Sequence, residues 1–287
     1  MSEIDHAISE STGFIFRKHS TSSIGGGCIN QAFRITGEDG RIYFIKKNQP
    51  SFLPFFEAEA RALSEIKNTN TVRVPEVIAH GVESDNAYLV LEYIEEGGNS
   101  YAGQAELGTQ LARLHLVKLP FFGWSMDNCI GATPQPNPQS DDWISFYRDH
   151  RLAHQFELAA RKGRKFEDSQ TLLDSLESFF SNYSPHPSLL HGDLWSGNAS
   201  CDKEGSPFIF DPASYYGDRE ADLAFTYMFG GFSSAFYHAY ENTYPIDSGF
   251  ALRKILYNLY HELNHFNLFG GGYASSAQAS INKLLQA

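Results

Sequence analysis

The sequence predicts an α+β chain of two lobes, a small N-terminal lobe on an antiparallel sheet and a larger helical C-terminal lobe. Three observations carry this expectation. Apolar residues alternate with a period of two through much of the first part, recur at helical spacing through most of the remainder, and the change falls at Glu95-Glu96-Gly97-Gly98-Asn99. The boundary is therefore expected near Gly97, with residues 1–96 as the N-terminal lobe and hinge and 97–287 as the C-terminal lobe. With 287 residues, 42% hydrophobic and 14% aromatic, the chain can bury a substantial core.

The elements follow in order. Phe33-Arg34-Ile35 and Arg41-Ile42-Tyr43-Phe44-Ile45 flank Gly37-Glu38-Asp39-Gly40 as the arms of a hairpin. Phe55 to Ile66 places Phe55, Ala58, Ala62, Leu63 and Ile66 on one face of a helix, with Glu57, Glu59, Arg61 and Glu65 among them. Val74 to Ala79 and Ala87 to Ile94 are rich in β-branched or aromatic residues and return to strand, with a turn at Glu83-Ser84-Asp85-Asn86. Beyond Gly97, helices are expected over Ala105 to Leu116, Trp143 to Arg161 and Leu172 to Phe180, and the Pro-rich Thr133 to Pro138 reads as a surface loop.

The formal charge is 22 − 34 = −12, with acidic residues scattered along the chain, which argues against nucleic acid or an anionic membrane as partner. Phosphates, if bound, need local groups or a metal. The most apolar stretch, Leu223 to Phe236, is shorter than the roughly 20 residues that span a bilayer and has a Gly-Gly inside it. Met1 to Glu10 carries three acidic residues and no apolar core, so no signal peptide is read and a cytoplasmic protein is expected. Cys28, Cys129 and Cys201 are too far apart for a metal knuckle or a disulfide framework and read as reduced thiols.

The chemistry concentrates in His191-Gly192-Asp193-Leu194-Trp195-Ser196-Gly197-Asn198 and in Phe208-Ile209-Phe210-Asp211-Pro212. Phosphoryl transfer from ATP needs a carboxylate at the attacking hydroxyl and oxygen ligands for Mg²⁺. Asp193 and Asn198 have the spacing of the catalytic Asp and metal-binding Asn in H-R-D-L-x-x-x-N, and Asp211 ends an apolar run where a DFG-type metal ligand sits. Gly25-Gly26-Gly27-Cys28 forms a glycine-rich loop whose backbone N–H groups can approach phosphate oxygens, although it fits neither G-x-G-x-x-G nor Walker A. Lys46 ends the second hairpin strand and can neutralise phosphate, whereas Lys47 points to the opposite face. Glu59 is the expected ion-pair partner of Lys46, with Glu57 as second choice, and Leu91-Glu92-Tyr93-Ile94 is the expected hinge whose backbone hydrogen-bonds adenine.

On these residues the chain resembles the fructosamine kinase family, or ketosamine-3-kinases, which share the protein-kinase-like fold of the aminoglycoside phosphotransferases. Further matches are Asp211 to Ala224, Leu263-Asn264-His265 and Phe269-Gly270, so most of the chain is involved. The resemblance implies Asp193 as catalytic base, Asn198 and Asp211 as magnesium ligands, and Lys46 with Glu59 at the phosphates of ATP. It implies a small ketosamine or glycated amine as substrate, phosphorylated on a sugar hydroxyl so that the adduct is destabilised, a deglycation repair. Trp195 then stacks on the sugar's C–H face or packs as core. Asp222 ties down the catalytic-loop backbone, with His191 a scaffold residue. Cys28, in the glycine loop beside Lys46, is a candidate redox-sensitive thiol. Which ketosamine is accepted is not set by these motifs, nor is the oligomeric state.

Other readings compete. The H-G-D-x-x-x-x-N pattern is shared with choline and aminoglycoside kinases, whereas Gly192 in place of Arg and the missing A-P-E segment disfavour a protein kinase. His261-Glu262-Leu263-Asn264-His265 matches the zinc-peptidase motif H-E-x-x-H, but no His, Asp, Glu or Cys follows His265 to complete a zinc site.

Overall fold

The computed structural model describes residues 2–25 and 29–287. The N-terminal sheet has strands β1 (Lys18–Ile24), β2 (Gln31–Gly37), β3 (Ile42–Asn48), β4 (Val77–Glu83) and β5 (Asn86–Glu92) in the order β1-β2-β3-β5-β4. Every pair is antiparallel. The β2–β3 turn closes through Gly40 at φ +84°, a conformation that suits a residue without Cβ.

Strand alternation divides the sheet into two faces. Ile35, Tyr43, Ile45, Tyr88 and Val90 pack with Ile4 and Ile8 of α1 (Glu3–Thr12), whose N-terminus is closed by a capping box between Ser2 and Asp5. The other face carries Lys46, Leu89 and Leu91 toward α2 (Leu53–Asn68), where Phe56, Ala58, Ala62, Leu63 and Ile66 are buried in the main core. Lys47 follows the first face and pairs with Glu83 at 3.2 Å, the opposite direction from Lys46 as the alternation predicts.

The second part begins with α3 (Tyr101–His115), capped by Ser100 Oγ, which accepts from Gly103 N at 2.9 Å. Next come the ribbon β6 (Asn128–Ile130) and β7 (Thr133–Gln135), α4 (Trp143–Tyr147), one wide turn over Arg148–Ala153, α5 (His154–Arg161) and α6 (Ser169–Asp174). Two small ribbons, β8 (Ser188–Leu189) with β11 (Tyr216–Gly217) and β9 (Ala199–Cys201) with β10 (Pro207–Ile209), then frame the segments around His191 and Asp211. Helices α7 (Arg219–Phe225), α8 (Ser234–Thr243), α9 (Phe250–Phe269) and α10 (Tyr273–Leu285) complete the chain. α3 lies against α8 so closely that a Cβ on Gly108 would strike the carbonyl of Phe236. No helix among the described residues is long and apolar enough to cross a membrane.

Thr133 to Pro138 corrects the sequence reading of a surface loop. Thr133, Gln135 and Asn137 are buried and alternate with the prolines, which face outward where a two-stranded ribbon needs no N–H donor. The helix expected over Trp143 to Arg161 is continuous in path but widens by a π-turn at Arg148–Ala153, and Leu172 to Phe180 divides into the end of α6 and a 3₁₀ turn.

Candidate active site

The two motif segments lie side by side. Ala213 N donates to His191 O at 2.9 Å, Leu190 N to Tyr215 O at 3.0 Å, and Phe210 N to Asn198 O at 3.0 Å. Gly192 has φ +83°, and a Cβ there would meet the carbonyl of Ala213, so the close approach requires glycine. Asp211 holds φ +58°, a left-handed conformation that is uncommon for a residue with a side chain and is maintained here by its surroundings.

A buried carboxylate organises the loop. Asp222, on α7, accepts from His191 N at 2.6 Å and Gly192 N at 2.7 Å, and its Oδ2 lies 3.2 Å from His115 Nε2. His191 Nε2–H donates to Phe210 O at 2.9 Å while its Nδ1 accepts from Asp193 N at 3.2 Å, which fixes a neutral tautomer. Burial lowers the basicity of that imidazole, consistent with the neutral form. Both residues thus shape the backbone that presents Asp193, as the resemblance implies.

Asp193 stands at the centre. Asn198 Nδ2 donates to its carbonyl at 2.8 Å and to its Oδ2 at 3.1 Å. Burial raises the Asp193 carboxyl well above the ordinary carboxylate range, the charge of Asp211 adds to the rise, and the Asn198 bond opposes it. A carboxylate of raised basicity is suited to accept a hydroxyl proton.

From the other lobe, Lys46 reaches Asp211. Its Nζ is 2.6 Å from Asp211 Oδ1 and 2.7 Å from Glu59 Oε1, and the residue is 4% exposed. Burial alone would depress the ammonium, but the charges of Asp211 and Glu59 outweigh it and hold it protonated above its usual value. Burial pushes the Glu59 carboxyl up, while Lys46 opposes that push and Asp211 adds to it. Given a protonated Lys46, the carboxylate form of Glu59 is the one that satisfies the pair. Glu59 is thus the partner, as read from the sequence, with Glu57 outside the pair.

The oxygens left over suit a hard cation. Asn198 spends its Nδ2 on Asp193, which turns Oδ1 elsewhere, and Asp211 uses only Oδ1 for Lys46. Among the described residues no group of three or more His, Cys, Asp or Glu forms a metal cage. Magnesium fits this pattern, since it binds through one or two protein oxygens plus phosphates and water.

The full chain, residues 1–287, matches the family model described as fructosamine kinase. The chain belongs to the fructosamine kinase family. Membership makes it an ATP-dependent kinase that acts on a hydroxyl group. A Synechocystis protein assigned as a ketoamine kinase is 45% identical over 99% of this chain and 96% of its own. The chloroplastic protein-ribulosamine 3-kinase of Arabidopsis thaliana is 42% identical over 92% of this chain and 82% of its own. The crystal structure of a Haemophilus somnus 129PT protein assigned as a fructosamine-3-kinase superposes with a TM-score of 0.92 at 29% identity, covering 98% of this chain and 96% of that one. The two-lobed, protein-kinase-like architecture read from the sequence is borne out.

Other expected site residues of this fructosamine kinase family member are placed as follows. Gly25 follows β1, while Gly26, Gly27 and Cys28 lie outside the described residues. The far side of that loop is tied to β3 by Asn48, whose Nδ2 donates to Ile29 O at 3.2 Å and Asn30 Oδ1 at 2.8 Å. Glu92 narrows the hinge: its backbone N–H donates to Glu76 O at 2.8 Å and its side chain bonds Arg73 at 2.9 Å, so that N–H is not free for adenine. Tyr93, with Arg34 5.3 Å above its ring, and Ile94 lie past the end of β5. Trp195 is half-buried; its ring covers Gly197 and meets Phe229 edge-on at 5.7 Å.

The H-E-x-x-H segment of α9 is packed as scaffold. The His261 ring stacks on Phe225 with centroids 3.5 Å apart and planes at 9°, and His265 Nδ1 donates to the His261 carbonyl at 2.7 Å. Cys129 and Cys201 are free thiols. Sequence reasoning missed the polar layer beneath Asp211: Gln135 Nε2 donates to Ala213 O at 3.1 Å and Asn128 Nδ2 to Ser214 O at 2.8 Å. The signal was the alternation of Thr133, Gln135 and Asn137 with proline.

Proposed function

We propose that this protein transfers the γ-phosphoryl group of ATP to a sugar hydroxyl of a ketosamine, the adduct of a sugar with an amine. One observation carries the reading: Lys46, Glu59 and Asp211 meet in a single cluster beside the Asp193–Asn198 pair, in a chain that matches the family from end to end. Residues 1–96 take the nucleotide, with the Gly25 to Cys28 loop over the phosphates and Tyr93 and Ile94 at the adenine, and residues 97–287 take the acceptor.

Each side chain then has a task. Asp193 accepts the proton of the attacking hydroxyl, and the Asp222 and His191 contacts orient it. Lys46, braced by Glu59, offsets the charge of the phosphates. Asn198 and Asp211 would hold magnesium, which would supply neutralisation of phosphate charge. Trp195 offers its ring to the C–H face of the sugar. The relative named protein-ribulosamine 3-kinase supports a protein-linked acceptor. Such a reaction, placed in the cytoplasm, phosphorylates glycation adducts and so prepares their removal.

The test is ATP consumption across fructosamines, ribulosamines, erythrulosamines, aminoglycosides and choline, with and without magnesium. Magnesium-dependent turnover with a ketosamine is the expected result. Turnover only with aminoglycosides or choline would replace the acceptor class while leaving the kinase reading in place.

A further inference from the structure

Helix α2 is fastened at a second point that the phosphate-site pair does not explain. Glu59 faces Lys46 near the middle of the helix, and Glu65 lies further along it, near the C-terminal end. Trp124 Nε1 donates to Glu65 Oε2 at 2.9 Å, and Tyr216 OH donates to Glu65 Oε1 at 2.9 Å. Both donors belong to the larger lobe and are buried. Each oxygen of one carboxylate is therefore claimed by a different anchor, a geometry that fixes both position and orientation.

The anchors are not arbitrary parts of that lobe. Gly123 N donates to Tyr216 O at 2.9 Å and Tyr216 N to Gly123 O at 2.8 Å, which joins the two anchor segments to each other. Tyr216 also pairs with Leu189, and Leu189 and Tyr216 lead directly into the His191 loop and out of the Asp211 turn. Glu65 thus grips the ribbon from which both catalytic segments emerge. Beyond the end of α2, Ile209 N donates to Arg73 O at 3.0 Å, so the chain leaving the helix pairs with β10, the strand that leads into Asp211.

We infer that Glu65 is a positioning residue for phosphoryl transfer, locking α2 to the Asp211 ribbon so that Glu59 holds Lys46 at the phosphates. The inference rests on the kinase reading above. A helix free to slide along the sheet would carry Glu59 away from Lys46, and a displacement of about 1 Å at a reacting centre can cost on the order of a hundredfold in rate. The lock acts through Glu59, and that route separates it from general stabilisation.

A double-mutant cycle reads the route. Glu65→Ala, Tyr216→Phe and Glu59→Gln, singly and paired, are measured for ketosamine-dependent turnover, for the Kd of magnesium AMP-PNP by calorimetry, and for Tm. Glu65→Ala is expected to lower kcat/KM for ATP at least about tenfold, and Tyr216→Phe by a smaller factor. In the Glu59→Gln background neither substitution lowers it further, while their losses in Tm still add. Losses that multiply in the double variants, or wild-type turnover in Glu65→Ala, would overturn the inference. If Glu65→Ala does not fold, the Tyr216→Phe and Glu59→Gln pair carries the same cycle. If the wild-type protein turned over no ketosamine, the acceptor reading would fail instead, and the cycle is then read in the Kd of magnesium AMP-PNP.

Discussion

Replacing Asp222 by Asn tests how the catalytic loop is held. The carboxylate is almost fully buried and receives two backbone N–H groups, from His191 at 2.6 Å and Gly192 at 2.7 Å, on different oxygens, with His115 Nε2 at 3.2 Å from one of them. An amide offers one acceptor, so whichever way it turns, its NH₂ faces at least one N–H donor. The variant loses at least one charge-assisted hydrogen bond, about 1.5–3 kcal/mol, and strands a buried donor at about 1–3 kcal/mol more. The total of roughly 2.5–6 kcal/mol corresponds to a Tm lower by on the order of 10 °C in a chain of this size. Because the stranded donors belong to the residues that lead into Asp193, kcat should fall by roughly a hundredfold as well. Differential scanning calorimetry with steady-state kinetics checks both. A variant within about 1 °C and twofold of wild type would refute the claim that Asp222 holds this backbone.

Two further outcomes are expected. Lys46→Met removes the ammonium that Glu59 and Asp211 share and leaves two carboxylates facing the phosphates, so KM for ATP should rise at least about tenfold with kcat also reduced; an unchanged KM in steady-state assays would contradict its place at the phosphates. His261 is held neutral by burial, its basicity well below the ordinary value of 6.5, so its contribution is complete above pH 6.5 and is lost as pH falls through 6.5, where the unfolded chain gains a proton that the folded chain refuses. His261→Phe, which keeps a ring against Phe225, should therefore gain on the order of 1 kcal/mol of relative stability between pH 7.5 and 5.5, and parallel curves of Tm against pH would contradict this.

Much of the fold was legible because the signals were local. The hairpin of β2 and β3, the amphipathic α2, and the return to strand in β4 and β5 all announce themselves within a few residues. That Lys46 and Lys47 face opposite ways followed from strand alternation, and their partners Glu59 and Glu83 lie on opposite faces accordingly. Less visible were features whose cause lies elsewhere in the chain. Helix α1 is short and polar, and only its Ser2–Asp5 capping box marks it. Proline concealed β7, because a Pro-rich run reads as loop until the buried alternate residues are seen. The grip of Asp222 on the His191 loop and the contact between Lys46 and Asp211, 165 residues apart, exist only once the chain is folded. No periodicity encodes them, and resemblance to a family was the only route to Asp222 from sequence.

In the proposed reaction Asp193 takes the proton of the acceptor hydroxyl while other groups hold the nucleotide. Asp193→Asn keeps an oxygen toward Asn198 and removes the base. Ketosamine-dependent ATP turnover should drop by about 10²–10⁴-fold, while the Kd of magnesium AMP-PNP measured by calorimetry stays within about threefold of wild type. Turnover that survives the substitution, or a nucleotide affinity that collapses with it, would contradict the account.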